Sequence, residues 1–408
     1  MNVFRANQPV GRRGAGAGRF GILGVVPHAV ARIDLDAIAA NVRTLAARTS
    51  AEVMAVVKAD GYGHGMVPSA RAALAGGATW LGVATLDEAL ALRAAGIEAP
   101  VLAWLWTLDE TEELREALAA GVDVGVSTSA QLMAVDAAAA ASATARIHLK
   151  VDTGLSRNGA TAEQWPGLVA EAAAAAARGT VEVTGVWSHL ARADEPEAPT
   201  TARQTKAFLS ALDVAEAAGV VPQVRHLANS AALLTAPDTH FDLVRVGITA
   251  YGLDPVGVPG LELQPAMTLL ARVAHVKRVP AGTGVSYGHT YTTPRDTTLA
   301  LVPVGYGDGI PRAASNTAPV AVGGQRVTIA GRVCMDQFVV DIGDLDVHEG
   351  DEVVVFGPGG PGAGEWAALL DTIHYEIVTR IGPRVPREHV GTAGTTTAGP
   401  TRGAGATS

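Results

Sequence analysis

The sequence predicts an α/β protein: a (β/α)8 barrel of the TIM type followed by a C-terminal all-β domain. Three observations carry this expectation. A strand-then-helix rhythm repeats about eight or nine times between Ala31 and Gln264, which suits a closed barrel. The stretch Val53–Val57 is apolar on both alternating faces, as in a strand buried on each side of a parallel sheet. After Pro265 the pattern changes to short β-rich runs between glycines, the signature of a barrel or sandwich. An open doubly wound sheet is the competing architecture, but no GxGxxG follows the first strand.

Residues 1–28 are rich in Gly, Arg and Ala and read as a disordered extension. Arg12-Arg13 and the apolar Phe20–Val26 superficially resemble an export signal, but that apolar part is short and contains two glycines. The barrel is expected over 29–265. Its first unit reads as Ile33–Asp36 leading into a helix over Ala37–Ala47. Strands follow at Val53–Val57, Leu81–Ala84, Val101–Trp104, Val122–Val126, Ile147–Val151, Val183–Trp187, Val224–Leu227 and Leu243–Val246. Thr85 before Leu86-Asp87-Glu88, and Ser127 before Ser129, read as helix caps. The alanine runs Ala137–Ala141 and Ala172–Ala177 read as scaffold helices. The β domain is expected over 266–390, with strands at Arg272–Val279, Thr298–Val304, Arg326–Ile329, Phe338–Ile342 and Glu352–Phe356, and one helical patch at Glu365–Leu370. Residues 391–408 are rich in Thr, Gly, Ala and Pro and read as a disordered tail.

Composition excludes several classes of function. The 408 residues carry a net charge of -9 with a pI of about 5.7, whereas a nucleic-acid surface leaves a basic signature. Cys334 is the single cysteine, so no intrachain disulfide forms and a reducing, cytoplasmic compartment is expected. No apolar run approaches the ~20 residues of a spanning helix. The histidines are scattered, with no HExxH or paired-ligand spacing, so no metal is expected.

In parallel barrels the chemistry sits at the C-terminal ends of the strands. The polar residues there are Lys58 with Tyr62; Lys150 with Asp152 and Arg157; Ser188 with His189; Asn229 with Ser230; and Arg245 with Gly247. Lys58 is the most telling. It ends an apolar strand and opens onto Ala59-Asp60-Gly61-Tyr62-Gly63-His64-Gly65. Partial desolvation disfavours its charged form and frees an amine able to form a Schiff base. The spaced glycines suit a backbone that approaches a ligand closely. Ser230 reads equally as a ligand donor and as the N-cap of the following Ala231–Leu234.

These motifs closely resemble those of the alanine racemases, over residues from about 31 to 390. The resemblance rests on Ala-Val-Val-Lys58-Ala-Asp-Gly-Tyr62-Gly-His-Gly, Leu-Lys150-Val-Asp-Thr-Gly-Leu-Ser-Arg157, Ser-His189-Leu-Ala, Ala-Asn-Ser230-Ala, Val-Arg245-Val-Gly247-Ile248, Val-Ser-Tyr287-Gly-His-Thr-Tyr291, Gly-Tyr306-Gly-Asp-Gly, Met335-Asp336-Gln and His-Tyr375-Glu. It implies a homodimer with shared active sites, using pyridoxal 5'-phosphate to interconvert L- and D-alanine for peptidoglycan. By resemblance, Lys58 would hold the cofactor as an aldimine. Tyr62, Ser230, the N–H groups of Gly247 and Ile248, and Tyr375 would bind its phosphate. Arg245 would face the pyridine nitrogen, with His189 nearby, and a guanidinium there leaves that nitrogen unprotonated. Lys58 and the partner subunit's Tyr287 would act as the two bases on opposite faces. Arg157 would bind the substrate carboxylate and the cofactor's phenolic oxygen, Met335 of the partner subunit would bind substrate through its N–H, Tyr291 and Tyr306 would line the access path, and Lys150 matches a position carbamylated in many members.

Two departures are visible. Asp60 stands where many relatives have asparagine, and Ser156 where glycine is common. Neither replaces a chemical group. The alternatives are a broad-specificity amino-acid racemase, a related barrel-type amino-acid decarboxylase, and a non-catalytic pyridoxal-phosphate carrier. Decarboxylation needs only one protonation and leaves Tyr287 without a comparable role. The carriers resemble the barrel alone, so residues 266–390 argue against that reading.

Overall fold

The computed structural model describes residues 27–139 and 144–393. Most of the expected N-terminal extension and C-terminal tail therefore lies outside the described residues.

Eight parallel strands form the barrel. The chain's first strand, β1 (Ala29–Asp34), is not among them. The barrel strands are β2 (Glu52–Val56), β3 (Trp80–Val83), β4 (Val101–Ala103), β5 (Asp123–Val126), β6 (Ala145–Lys150), β7 (Val181–Trp187), β8 (Val224–His226) and β9 (Leu243–Val246). They pair in the order β8-β7-β6-β5-β4-β3-β2-β9. Between the ends β8 and β9, Arg245 N–H donates to Ala228 O and Asp242 N–H to Arg225 O, each at 3.1 Å, and these bonds draw the seam together. The α/β expectation of a barrel plus a β domain is met.

The first sequence unit behaves differently from its expectation. Ile33 and Asp34 belong to β1, which pairs antiparallel with β10 (Met267–Arg272) of the second domain. The alternating burial of Ala29, Ala31 and Ile33 fits a strand with one covered face, and a barrel strand has two. The helix Leu35–Ala46 then packs its Leu35, Ile38, Val42 and Leu45 stripe inward. Asp34 caps it by accepting from Ala37 N–H at 2.9 Å. Its Asn41 amide bonds Ala250 O and Gln264 O, so this N-terminal helix closes the ring beside β9.

Helix caps show what local pattern misses. Thr85 is the expected cap of the helix Leu86–Ala94, and with Glu88 it forms a capping box. The helix Ser129–Ala139 begins one residue later than expected: Thr128 Oγ1, rather than Ser127, accepts from Gln131 N–H.

The second domain has three β layers. A six-stranded sheet runs β16-β15-β18-β10-β1-β19, built from β10, β15 (Pro319–Val322), β16 (Gln325–Thr328), β18 (Glu352–Phe356) and β19 (Arg387–Val390) with β1. A three-stranded sheet joins β11 (His275–Val279), β14 (Thr297–Val302) and β17 (Phe338–Gly343), and β12 (Gly284–Val285) pairs with β13 (Tyr291–Thr292). The run Arg272–Val279, expected as one strand, is split between two sheets. Helices Ala363–Leu369 and His374–Thr379 follow; the second was not legible from pattern. Among the described residues no helix is long and apolar enough to cross a membrane.

Candidate active site

Lys58 leaves the end of β2 half-buried, as the sequence suggests. The next residues take an uncommon path. Ala59, Asp60, Gly61 and Tyr62 all have φ between 52° and 62°, a left-handed turn that costs roughly 1–2 kcal/mol per non-glycine residue. Specific bonds hold it. Glu88 Oε1 accepts from Ala59 N–H at 2.7 Å and Asp60 Oδ1 from Met66 N–H at 2.8 Å. The second domain adds two more: Arg387 Nε–H donates to Gly63 O at 3.0 Å, and His389 Nε2 lies 2.8 Å from His64 O. The glycines serve this docking. A Cβ on Gly63 would meet Val378 O at 2.6 Å, and one on Gly65 would meet His389 Nε2 at 2.6 Å. They are cut away for the second domain, a different reason from the ligand approach expected of them.

Around Lys58 the strand ends assemble a cationic group. Lys150 ends β6, buried, with Nζ 4.1 Å from the Trp187 ring centroid. Arg245, on β9, is buried and donates through Nη2 to Ser188 O at 2.9 Å and Leu227 O at 3.2 Å. The same nitrogen lies 3.3 Å from His189 Nδ1. Arg157 follows a loop in which Asp152 Oδ1 accepts from the N–H groups of Gly154, Leu155 and Ser156. Ser156 there has φ 57°, a left-handed conformation that glycine adopts freely and serine does not.

The charges act on one another. Burial and the Arg157 charge pull Lys58 below its ordinary value, with Glu88 opposing. Burial, Arg245 and Arg157 bring Lys150 down to about 7. Burial and the same arginines push His189 well below its ordinary value, so it is neutral. Burial pulls Arg245 down to about 9, still charged at neutral pH. In a chain of net charge -9, this concentration of cations, with Lys150 and Arg245 buried, is suited to anionic ligands.

A neutral polar cradle adjoins it. Gly247 N–H donates to Ser230 Oγ at 2.9 Å, and Thr249 Oγ1 does so at 3.0 Å. Ser230 is thus turned toward Gly247. Asn229 is the N-cap instead, accepting from Ala232 N–H at 3.0 Å. An ideal Cβ on Gly247 would lie 2.4 Å from the Tyr62 hydroxyl. Ile248 opens the 3-10 turn Ile248–Tyr251. The Tyr62 and Tyr375 rings stand 6.2 Å apart. Burial raises both phenols, Tyr375 to about 12, so both remain hydrogen-bond donors. Ser230, whose oxygen accepts from both Gly247 N–H and Thr249 Oγ1 and so keeps its own O–H to donate, forms with the two phenols a donor set that fits a phosphate.

Four other named residues lie on the second domain. Tyr287, in the β12–β13 hairpin, is 72% exposed. Tyr306 and Met335 are also exposed, on loops joined by Tyr306 N–H to Cys334 O and Gly307 N–H to Met335 O. Tyr291 is tied inward: its hydroxyl donates to Asp341 at 2.7 Å. Sequence reasoning missed Trp187, His226, His148 and Glu88. His148 stands two residues before Lys150, so strand alternation was the signal for it.

Comparison with known proteins gives a consistent result. Residues 33–255 match the family profile "Alanine racemase, N-terminal domain" and 266–389 match "Alanine racemase, C-terminal domain". The alanine racemase of Salinispora arenicola is 60% identical over 369 residues, covering 89% of this chain and 99% of that protein. That of Thermobifida fusca is 61% identical over 371 residues, covering 89% and 98%. The crystal structure of alanine racemase from D-cycloserine-producing Streptomyces lavendulae superposes with a TM-score of 0.88 at 55% identity, covering 90% of this chain and 98% of that one. With both profiles matched in order and the barrel and β domain in place, the chain belongs to the alanine racemase family of isomerases.

Proposed function

We propose that this protein interconverts L-alanine and D-alanine with pyridoxal 5'-phosphate bound at Lys58, supplying D-alanine for peptidoglycan in the cytoplasm. The observation that carries the reading is the cationic group formed by buried Lys150 and Arg245, half-buried Lys58 and exposed Arg157, beside the cradle of Tyr62, Ser230 and Gly247. Cradle and cations together suit a phosphate, a substrate carboxylate and a reactive amine within one pocket. When bound, the cofactor supplies an electron-withdrawing ring that acidifies the Cα–H of the attached amino acid.

The chain's own residues do the rest. Lys58, poised toward its neutral form, moves the Cα proton on one face. Tyr287 of the partner subunit moves it on the other. Its exposure, with that of Tyr306 and Met335, fits a homodimer in which each β domain completes the neighbour's barrel. Arg157 holds the substrate carboxylate, with the partner's Met335 N–H. His189 accepts from Arg245 at Nδ1, so its Nε2–H is free to stabilise the partner's Tyr287 oxygen. Ile248 N–H and Tyr375 complete the phosphate site, while Tyr291 and Tyr306 line the access path.

Lys150 is read as a carbamate. A buried amine brought to about 7 has a large neutral fraction near neutral pH, and the neutral amine adds carbon dioxide with release of one proton. The resulting anion offsets Arg157 and Arg245 and orients Arg157.

The test is chiral analysis of products from a panel of L-amino acids. Racemisation of alanine above all others is expected. Carbon dioxide release, or faster racemisation of serine than alanine, would overturn the assignment.

A further inference from the structure

A line of buried polar side chains crosses the barrel interior from the start of β5 to the end of β9. Asp123, His148, His226 and Arg245 are 1%, 0%, 0% and 4% exposed. Asp123 Oδ2 lies 3.1 Å from His148 Nε2. His148 Nδ1 lies 2.8 Å from His226 Nε2, and His226 Nδ1 lies 3.1 Å from Arg245 Nη1. Apolar walls enclose the line. Trp187 stacks on His226 at 5.4 Å, and Trp80 meets His148 edge-on at 5.5 Å. Space for His148 is built in: a Cβ on Gly185 would lie 2.2 Å from its Nδ1.

The proton positions along this line follow from chemistry. A guanidinium only donates, so His226 Nδ1 accepts. His226 therefore carries its proton on Nε2 and donates to His148 Nδ1. His148 in turn carries its proton on Nε2 and donates to Asp123. Every bond points from Arg245 toward Asp123, and both imidazoles are neutral. At the far end Arg146 donates to both carboxylate oxygens, Nε–H to Asp123 Oδ1 at 2.8 Å and Nη2–H to Oδ2 at 3.3 Å, which holds the carboxylate ionised as the final acceptor.

We propose that Asp123, His148 and His226 form a positioning relay that sets the direction of this line, fixing Arg245 as an oriented donor at the barrel mouth and, through Arg245, the tautomer of His189. The inference rests on the reading above that Arg245 faces the cofactor ring nitrogen. Asp123 acts from the opposite end of the barrel and touches neither substrate nor cofactor.

Asp123→Asn tests the direction of the line. The shorter of the two Arg146 bonds, Nε–H to Oδ1 at 2.8 Å against Nη2–H to Oδ2 at 3.3 Å, selects the amide oxygen for the Oδ1 place, so the new N–H₂ faces His148 Nε2. The His148 proton must then move to Nδ1, His226 must accept at Nε2, and its Nδ1–H opposes the Arg245 Nη1–H. Histidine-selective 15N NMR of the protein without added cofactor should show Nε2–H at His148 and His226 in the native chain and Nδ1–H in the variant. With ring-15N pyridoxal phosphate bound, the nitrogen signal should move toward the protonated range in the variant. The kcat should fall roughly tenfold or more, as for a mis-set histidine tautomer, with the KM for alanine little changed. Arg146→Lys keeps an ammonium donor at Oδ1 and should keep the native tautomers.

Native tautomers retained in Asp123→Asn, or an unmoved ring-nitrogen signal after they reverse, would overturn the proposal. If that variant does not fold, the native spectrum decides: Nδ1–H or double protonation at either His148 or His226 overturns it. Failure of the native chain to bind pyridoxal phosphate would sink the functional reading instead, and the tautomer measurement, made without cofactor, stands apart from that result.

Discussion

The Tyr62 hydroxyl occupies the space that a side chain on Gly247 would fill, 2.4 Å from its ideal Cβ. Gly247 has φ -108° and ψ -98°, and the phenol leaves no room for a Cβ there. Gly247→Ala should displace the phenol from the donor cradle. Overpacking of this kind costs about 1–3 kcal/mol, and the affinity for pyridoxal phosphate should fall roughly tenfold or more. Equilibrium titration of the cofactor measures it. Adding Tyr62→Phe should recover thermal stability without recovering affinity. Unchanged affinity in Gly247→Ala would remove the cradle from the phosphate site.

Lys58 and Tyr287 define a complementation experiment. Lys58→Ala should lose the visible absorbance of lysine-linked cofactor, and Lys58→Ala and Tyr287→Phe homodimers should each be nearly inactive. Mixed and allowed to exchange subunits, they should recover activity through heterodimers with one intact site. Exchange without recovery would show that Tyr287 does not act across the interface.

Lys150 predicts a pH dependence of stability. Its folded value of about 7 lies below the ordinary 10.5, so between these limits the unfolded chain binds more protons and stability rises with pH. The penalty is fully present below about 7 and fades toward 10.5. In carbon-dioxide-free buffer and without cofactor, Lys150→Met should be the more stable protein at pH 7 by up to a few kcal/mol. That advantage should shrink by pH 10, as read by denaturant unfolding. An advantage that is flat with pH would contradict the burial of a charged amine. Bicarbonate should raise activity in the native chain and leave Lys150→Met unaffected.

Arg387 ties the domains together at the turn that follows Lys58. Its guanidinium serves Gly63 O, Gly382 O and Val385 O. Arg387→Ala should cost about 2–4 kcal/mol, since buried carbonyls lose charged donors. Amide exchange over residues 59–65 should accelerate. Unaltered exchange there would mean that the left-handed turn stands without the second domain.

Ser156, at φ 57°, predicts a gain. Ser156→Gly should raise stability by up to about 1 kcal/mol, the strain relieved exceeding the added freedom of the unfolded chain. A loss on thermal or denaturant unfolding would show that the serine makes a compensating contact.

Much of the fold is local information. Strand alternation and the switch in pattern after Pro265 reveal a parallel barrel and a β domain, because burial on two faces and burial on one leave different periodicities. The same logic places Lys58, Lys150, His189 and Arg245 at strand ends. Partners chosen at long range are not legible. Nothing near Ile33 says that β1 will pair with β10, more than 230 residues away. Whether Asn229 or Ser230 caps its helix depends on where Gly247 arrives.

Residue types and spacing therefore determined by themselves that a lysine ends a buried strand and that cations gather at one rim of a barrel. Only the tertiary structure decided what each faces. Barrel closure brings Tyr62 against Gly247, docks Arg387 on the lysine's turn, and lines up Asp123, His148, His226 and Arg245 from four separate strands. The physical reason is that hydrogen-bond direction and steric fit act over about 3 Å, whereas those four residues span 123 positions of chain, from Asp123 to Arg245.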